Sequence, residues 1–232
     1  MTETVTTRAG LNYIGGEWIE SSSGETYEKR NPWRPSEVTG VYQASSAEDA
    51  RAAIAAAREA FPAWSALPAA HRGAFFHRAA DAIEARAERI AQDMTAEMGK
   101  PLREARLETL RAAAILRYSA GEAWRPIGEL YEPSVPDQRL YTMRRPLGVV
   151  GLITPWNFPI AIPAWKIAPA LAYGNAVVWK PAPAGGAVAA AAAGLLGRAG
   201  LPADVLRVVC GDAEAARGVV RAGVDKLCFT GS

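Results

Sequence analysis

The chain has 232 residues, half of them hydrophobic, and its 26 Lys and Arg residues nearly balance 24 Asp and Glu residues. This length and composition predict a globular protein with a substantial hydrophobic core. The balanced charge gives no electrostatic basis for binding nucleic acid or a membrane surface. The two cysteines are too few for a disulfide framework, so we expect a reducing, cytoplasmic location.

The N-terminal half of the chain predicts a small hairpin followed by three helices. Residues 8–20 alternate apolar and polar around two adjacent glycines, which is typical of a two-stranded hairpin. Residues 31–35 contain two prolines and are expected to form a turn or loop. Ser46 then begins a helix with a capping box, and two further helices are predicted over residues 69–98 and 101–124.

In the C-terminal part of the chain, strands and helices alternate. Four short apolar runs are the predicted strands, and they cover residues 148–153, 176–179, 205–209 and 226–229. The segments between them have helical character. This alternation indicates a doubly wound parallel sheet with right-handed crossovers.

We therefore predict an α/β fold in three parts. N-terminal helices over residues 1–125 precede a connecting segment of extended chain with turns over residues 126–147, and a Rossmann-like sheet follows over residues 148–232. The chain ends directly after its fourth predicted strand. A doubly wound sheet should continue there with a helix whose N-terminus can dock a phosphate. The sequence thus predicts a chain truncated before a further, catalytic domain.

Polar or glycine-containing segments follow each of the four predicted strands. Open α/β sheets bind ligands beyond the carboxyl ends of their strands, so we expect these segments to converge on one crevice. Lys180 is the cation among them and could pair with a phosphate or a ribose hydroxyl. Asn157 lies between prolines that restrict its loop, and a rigidly held amide can stabilise a developing oxyanion. Ordinary strand-to-helix turns would explain the same pattern.

The residues alone do not supply a complete catalytic set. His71 and His77 lie among Arg and Glu on one predicted helix and are expected on its solvated face. Cys210 and Cys228 are expected to be small buried hydrophobes. The sequence has no metal-ligand spacing, no serine nucleophile elbow and no Gly-x-Gly-x-x-Gly fingerprint, so no metal site is predicted.

Six short motifs occur in a fixed order along the chain. They are Pro155-Trp156-Asn157-Phe158-Pro159, Lys166 with Pro169-Ala170-Leu171, Gly174-Asn175, Lys180-Pro181, Gly200-Leu201-Pro202 and Phe229-Thr230-Gly231-Ser232. Together they resemble the aldehyde dehydrogenase superfamily, and the similarity runs from about Tyr13 to the last residue. The resemblance implies that the full-length protein oxidises an aldehyde to a carboxylic acid with NADP or NAD as cofactor.

The resemblance also assigns roles to individual residues. Asn157 would be catalytic, because its side-chain amide would donate to the oxygen of the thiohemiacetal formed from the aldehyde. Lys180 would bind the adenosine ribose. The other cofactor-binding positions would be Ile153, Thr154, Pro155, Trp156, Ala182, Pro183, Gly211, Phe229, Thr230, Gly231 and Ser232. The family's cysteine nucleophile and its glutamate base lie downstream of the Phe-Thr-Gly-Ser motif, so neither is expected in this chain, and neither Cys210 nor Cys228 matches the nucleophile's motif.

Substrate, cofactor preference and assembly are further implications of the resemblance. Residues 159–166 look most like those of 2-oxoglutarate semialdehyde (2,5-dioxopentanoate) dehydrogenases. Trp165 stands where succinate-semialdehyde enzymes tend to place an arginine for the substrate carboxylate. Pro183 stands where many NAD-using relatives have a glutamate, so NADP should be accepted at least as well as NAD. Residues 126–147 would form an oligomerisation hairpin, and the full-length protein would be a homodimer or homotetramer that takes a small-molecule aldehyde.

Two alternatives remain open at this point. One is an inactive, truncated remnant that binds at most a nucleotide, and the missing nucleophile supports it. The other is an acylating, CoA-dependent semialdehyde dehydrogenase of the same fold. Enzymes of that kind usually depart from Trp-Asn-Phe-Pro in the loop after the first strand, whereas this chain keeps those four residues.

Overall fold

Three sheets and seven α-helices organise residues 8–125 and 127–231, which are the residues that the computed structural model describes. The strands are β1 (Arg8–Gly10), β2 (Asn12–Ile14), β3 (Glu17–Ile19), β4 (Thr26–Asn31), β5 (Arg34–Gln43), β6 (Leu130–Tyr131), β7 (Leu140–Tyr141), β8 (Val149–Ile153), β9 (Ala176–Lys180), β10 (Leu206–Val208) and β11 (Lys226–Phe229). The helices are α1 (Ala47–Ala66), α2 (Ala69–Glu84), α3 (Ala87–Met98), α4 (Leu102–Glu122), α5 (Ala161–Ala172), α6 (Gly186–Arg198) and α7 (Ala213–Arg221). A short 3-10 turn covers Pro183–Gly185.

The main sheet has the strand order β11-β8-β9-β10-β2-β3. Its first four strands are parallel, whereas β2 pairs antiparallel with β10. The predicted α/β fold with a doubly wound parallel sheet is confirmed. The N-terminal hairpin predicted at residues 8–20 is also present as β2 and β3, but it extends this sheet, which local sequence patterns could not indicate.

Helices cover both faces of the main sheet, and side chains alternate between two cores. Val149 and Val178 belong to a smaller core that includes residues of α1 and α7. Val150 and Trp179 belong to a larger core that includes residues of α2 to α6. Because successive side chains of a strand point to opposite faces, β8 and β9 are buried on both sides and read as continuous apolar runs.

One prediction for the N-terminal half holds and another needs correction. The turn or loop predicted at residues 31–35 is a tight turn between β4 and β5, although Arg34 and Pro35 already belong to β5. Pro35 lies outside the part of β5 that pairs with β1, so its missing N–H costs no ladder hydrogen bond there. The helix predicted over residues 69–98 is two helices, which break at Ala85 and Arg86. Neither glycine nor proline marks that break, so the apolar period continues through it.

The first long helix begins as its sequence indicates. The hydroxyl of Ser46 accepts hydrogen bonds from the backbone N–H groups of Glu48 and Asp49, at 3.1 and 3.2 Å. In return the Asp49 carboxylate accepts from the backbone N–H of Ser46 at 2.8 Å. This reciprocal capping box confirms the predicted start of α1 and aligns the helix against the sheet.

The connecting segment before β8 contains a short antiparallel ladder. β6 and β7 pair through Leu130 with Tyr141 and Tyr131 with Leu140, and these four side chains are exposed. A hairpin is therefore present within the predicted segment 126–147, of which Pro126 lies outside the described residues. The part of this hairpin in oligomerisation stays a prediction. No helix in the described part of the chain combines the length and apolar character needed to cross a membrane.

Candidate active site

A cleft of about 790 Å³ opens at the carboxyl edge of the main sheet. Its walls come from the segments that follow β8, β9 and β11 and from the first residues of α7. Parallel strands present their carboxyl ends at one edge, so residues far apart in sequence meet there. The lining residues are Ile153, Thr154, Pro155, Trp156, Asn157, Ile162, Lys180, Ala182, Asp212, Ala213, Ala216, Phe229, Thr230 and Gly231.

Most of the predicted site residues line this cleft, and the exceptions are informative. Pro183 follows the lining residue Ala182 and begins the 3-10 turn without lining the cleft itself. Gly211 is buried behind it, where an added Cβ would lie 2.9 Å from the Cβ of Ala215 and 3.1 Å from a backbone nitrogen. Gly211 therefore allows close packing of the end of the strand. Ser232 lies outside the described residues.

Four lining residues were not in the predicted set: Ile162, Asp212, Ala213 and Ala216. Ile162 faces the cleft from α5, Ala213 and Ala216 face it from α7, and Asp212 directly precedes α7. Asp212 could have been found from the sequence, because it directly follows the Cys-Gly pair at the end of a predicted strand.

Lys180 is a nearly buried cation, with only 5% of its surface exposed. Burial lowers the pKa of its ammonium group, and the negative charge of Asp212 opposes that shift. Among the described lining residues, Lys180 is the only cation and Asp212 the only anion, and they form no salt bridge with each other. A buried ammonium group without a close counter-ion is unfavourable, so a ligand that accepts its hydrogen bonds would be stabilising.

Thr154 fixes the point where the chain leaves β8. Its hydroxyl accepts a 2.8 Å hydrogen bond from the indole nitrogen of Trp179, and its backbone N–H donates to the carbonyl of Lys180 at 3.3 Å. Both contacts join the end of β8 to that of β9. Thr154 thus contributes to the cleft mainly by holding two of its strand ends together.

The loop that carries Asn157 is held from outside the cleft by a buried ion pair. Lys100 forms a salt bridge with Glu108, and the two side chains are only 11% and 1% exposed. The ammonium group of Lys100 also donates to the backbone carbonyl of Asn157 at 2.7 Å and lies 4.0 Å from the centre of the Phe158 ring. These contacts fix the backbone from which the Asn157 amide projects.

The same carboxylate caps the helix that follows the loop. The second oxygen of Glu108 accepts hydrogen bonds from the backbone N–H groups of Ile160 and Ala161, both at 3.1 Å. Unpaired N–H groups at a helix N-terminus favour an anion, so Glu108 satisfies two of them while it neutralises Lys100. No sequence pattern indicated this cluster, because its members lie on three separate segments of the chain.

Neither cysteine offers an activated nucleophile in the described structure. Cys210 is 4% exposed, and burial raises the pKa of its thiol to about 12. A thiol must ionise to attack, so this environment is unsuitable for catalysis. Cys228 lies half-buried within β11. His71 and His77 are exposed, and the described residues contain no cluster of side chains that could hold a metal ion.

The cleft has the features that a nicotinamide dinucleotide needs. It lies at the carboxyl edge of a parallel sheet, it has the apolar walls Ile153, Pro155 and Phe229, and its cation is the buried Lys180. Ribose hydroxyls and phosphates accept hydrogen bonds from such a cation, while apolar walls pack against planar rings. The described residues therefore fit NAD or NADP.

Fold and cleft together define an α/β protein of the doubly wound class with a cleft at the carboxyl edge of its parallel sheet. The chain matches the family model described as "Aldehyde dehydrogenase family" over residues 18–232, and it belongs to that family. It is 46% identical over 224 residues to an alpha-ketoglutaric semialdehyde dehydrogenase of Bacillus subtilis, covering 96% of this chain and 46% of that protein. It is 41% identical over 222 residues to a glutarate-semialdehyde dehydrogenase of Pseudomonas putida, covering 95% of this chain and 46% of that protein.

Solved structures of similar proteins have the same fold. An NADP-dependent enzyme of E. coli is 39% identical with a TM-score of 0.87, covering 89% of this chain and 43% of that one. A betaine aldehyde dehydrogenase of Staphylococcus aureus in complex with NAD+ is 34% identical with a TM-score of 0.87, covering 90% of this chain and 42% of that one. The family resemblance, including the likeness to 2-oxoglutarate semialdehyde dehydrogenases, is confirmed. The chain spans about 46% of the length of these curated relatives.

Proposed function

We propose that the full-length protein containing this chain oxidises a small-molecule aldehyde to a carboxylic acid with NADP or NAD. This chain would supply the cofactor site and the oxyanion amide. The observation that carries the proposal is that Asn157 and Lys180 line one cleft at the carboxyl edge of the sheet. The first residue suits the reacting carbonyl, and the second suits a dinucleotide.

In the proposed reaction the residues of this chain bind and polarise. The cofactor, when bound, supplies the hydride acceptor. The side-chain amide of Asn157 donates a hydrogen bond to the aldehyde oxygen as that oxygen gains negative charge, and the contact with Lys100 keeps the backbone of Asn157 in place. Lys180 donates to a ribose hydroxyl or a phosphate. The nucleophile and the general base would come from outside this chain, so we propose that the chain alone is inactive.

We propose a semialdehyde, in particular 2-oxoglutarate semialdehyde, as the substrate. The names of the B. subtilis and P. putida relatives support an aldehyde that carries a carboxylate at its other end. The protein would act in the cytoplasm as a homodimer or homotetramer. The exposed apolar side chains of the β6–β7 hairpin, such as Leu130 at 79% and Leu140 at 54% exposed, support its use in self-association. No nucleic-acid or membrane partner is proposed.

The test is aldehyde-dependent formation of reduced cofactor by the purified full-length protein, with and without coenzyme A. The proposal expects steady formation of NADPH or NADH and of the free acid without coenzyme A. Acyl-CoA production that strictly requires coenzyme A would identify an acylating enzyme instead. Nucleotide binding without oxidation of any aldehyde would identify an inactive remnant.

A further inference from the structure

A groove of about 350 Å³ runs between α4 and α5, and it shares no lining residue with the cofactor cleft. Its lining is mixed, with aromatic and aliphatic walls such as Tyr118, Trp165 and Ile115, the basic side chain of Arg111 and the acidic side chain of Glu122. The acidic member, Glu122, forms a salt bridge with Arg125. Among the described lining residues, Arg111 is the only cation.

Arg111 is held in place by an aromatic ring rather than by a carboxylate. Its guanidinium lies 5.1 Å from the centre of the Trp165 ring, within the range of a cation–π interaction. The described residues provide no salt bridge to Arg111. By contrast, Arg106 and Arg117 on the same helix are paired with acidic side chains of α2 and α3. The guanidinium of Arg111 thus keeps its hydrogen-bond donors available while it lies against the Trp165 ring.

The position of Arg111 along α4 relates it to the Asn157 loop. Glu108 and Arg111 both lie on α4. Glu108 contacts the backbone at the start of α5, directly after that loop, and Arg111 contacts Trp165 further along α5. Three residues of α-helix advance about 4.5 Å, so Arg111 lies about one turn beyond the residue that supports the loop. A short substrate whose aldehyde lies at Asn157 could extend toward this guanidinium.

We propose that Arg111, held by Trp165, binds the carboxylate at the far end of a semialdehyde substrate. This inference rests on the proposed function and names a residue that selects the substrate class. Helix α4 supplies the cation, and Trp165 on the neighbouring helix α5 positions it. Arginine suits this task because its planar guanidinium can form two parallel hydrogen bonds with a carboxylate.

The test compares two aldehydes of equal chain length in the full-length protein, 5-oxopentanoate with a carboxylate and pentanal without one. Arg111→Met should lower the ratio of kcat/KM for 5-oxopentanoate over pentanal about 10- to 100-fold, because a hydrogen bond to a charged group contributes about 1.5–3 kcal/mol. Arg111→Lys should restore part of the ratio. Arg117→Met removes the same charge from the opposite side of α4 and should leave the ratio unchanged.

An unchanged ratio in Arg111→Met, or an equal loss in Arg117→Met, would overturn the assignment. Calorimetric binding of glutarate, a dicarboxylate that cannot be oxidised as an aldehyde, gives a readout that is independent of turnover. Wild type should bind glutarate, and Arg111→Met should bind it at least tenfold more weakly. Failure of wild type to oxidise any aldehyde would contradict the proposed function alone, whereas equal glutarate binding by both proteins would contradict the role of Arg111 alone.

Discussion

Some residues around the Asn157 loop line the cleft, and others fix the backbone of the loop from outside the cleft. Asn157 lines the cleft, whereas Lys100 contacts its backbone carbonyl and Glu108 contacts the backbone at the start of α5. The sequence identified the first group, because residues at strand ends are close in sequence to recognisable strands. It did not identify the second group, because a buried salt bridge between a loop and a helix has no periodic pattern.

Replacing the Asn157 amide should reduce the rate and leave cofactor binding intact. In the full-length enzyme we expect Asn157→Ala to lower kcat/KM by roughly 10²–10³, the loss typical of one oxyanion-hole donor. The dissociation constant of the cofactor should change little. Steady-state kinetics and calorimetric cofactor titration check this, and an unchanged rate with weakened cofactor binding would assign Asn157 to loop structure.

Breaking the buried Lys100–Glu108 pair should lower the stability of the protein. Glu108→Gln leaves Lys100 buried without a counter-ion, so the free energy of unfolding should fall by about 3–5 kcal/mol. Chemical denaturation of the full-length protein measures this change. Glu88→Gln breaks an exposed salt bridge with Arg106 and serves as the control, with a much smaller effect expected. Equal effects of the two substitutions would show that burial of the Lys100–Glu108 pair has no special importance.

Cofactor preference should respond to the residue after Ala182. Glutamate at Pro183 would offer a carboxylate to the ribose hydroxyls of NAD and repel the 2′-phosphate of NADP, so Pro183→Glu should shift the ratio of kcat/KM toward NAD by roughly 10- to 100-fold. Pro183→Gln changes the backbone in the same way without the charge and should shift the ratio much less. A parent enzyme that favours NAD more than tenfold, with no shift in the glutamate variant, contradicts the prediction.

At the scale of helices and strands, burial explains which elements the sequence predicted. β8 and β9 are buried on both faces, so their apolar runs were recognised with almost the observed bounds. The strands β4 and β5 were missed because β4 has a polar sequence with alternate residues exposed, which is also compatible with a loop. The position of β2 beside β10 depends on contacts between residues about 200 positions apart, such as that between Asn12 and Cys210.

A second buried glutamate connects α3 to α6 and should make stability depend on pH. The carboxylate of Glu97 accepts from the backbone N–H of Ala187 at 2.9 and 3.2 Å, and burial raises its pKa from 4.5 to about 7. Because the folded pKa is above the unfolded value, its contribution to stability is present below pH 4.5 and is lost as the pH rises through about 7.

Urea unfolding of wild type and Glu97→Gln across that pH range tests this account. The free energy of unfolding of wild type should fall relative to that of the variant as the pH increases from 4.5 to about 7. The reason is that the variant has no group that titrates at this position. A constant difference between the two proteins across the range would show that Glu97 does not change its charge there.

For the whole molecule, the same parallel sheet that was predicted from alternating strands and helices provides one cleft in which most of the predicted residues meet. General rules of α/β architecture were sufficient to locate the cleft, because carboxyl strand ends share an edge. They were not sufficient for the groove beside Arg111, since that contact depends on how α4 packs against α5. The proposed function therefore depends most on whether the cleft binds a nicotinamide dinucleotide.

Calorimetric titration of NADP and NAD into the full-length protein tests that claim most directly. Wild type should bind at least one of the two, and Lys180→Met should weaken binding about 10- to 100-fold, because it removes a charged hydrogen-bond donor from the cleft. Lys226→Met removes the same charge from the amino end of β11, at the opposite edge of the sheet, and should leave binding unchanged. Absence of binding in wild type, or equal affinities in wild type and Lys180→Met, would contradict the assignment of the cleft.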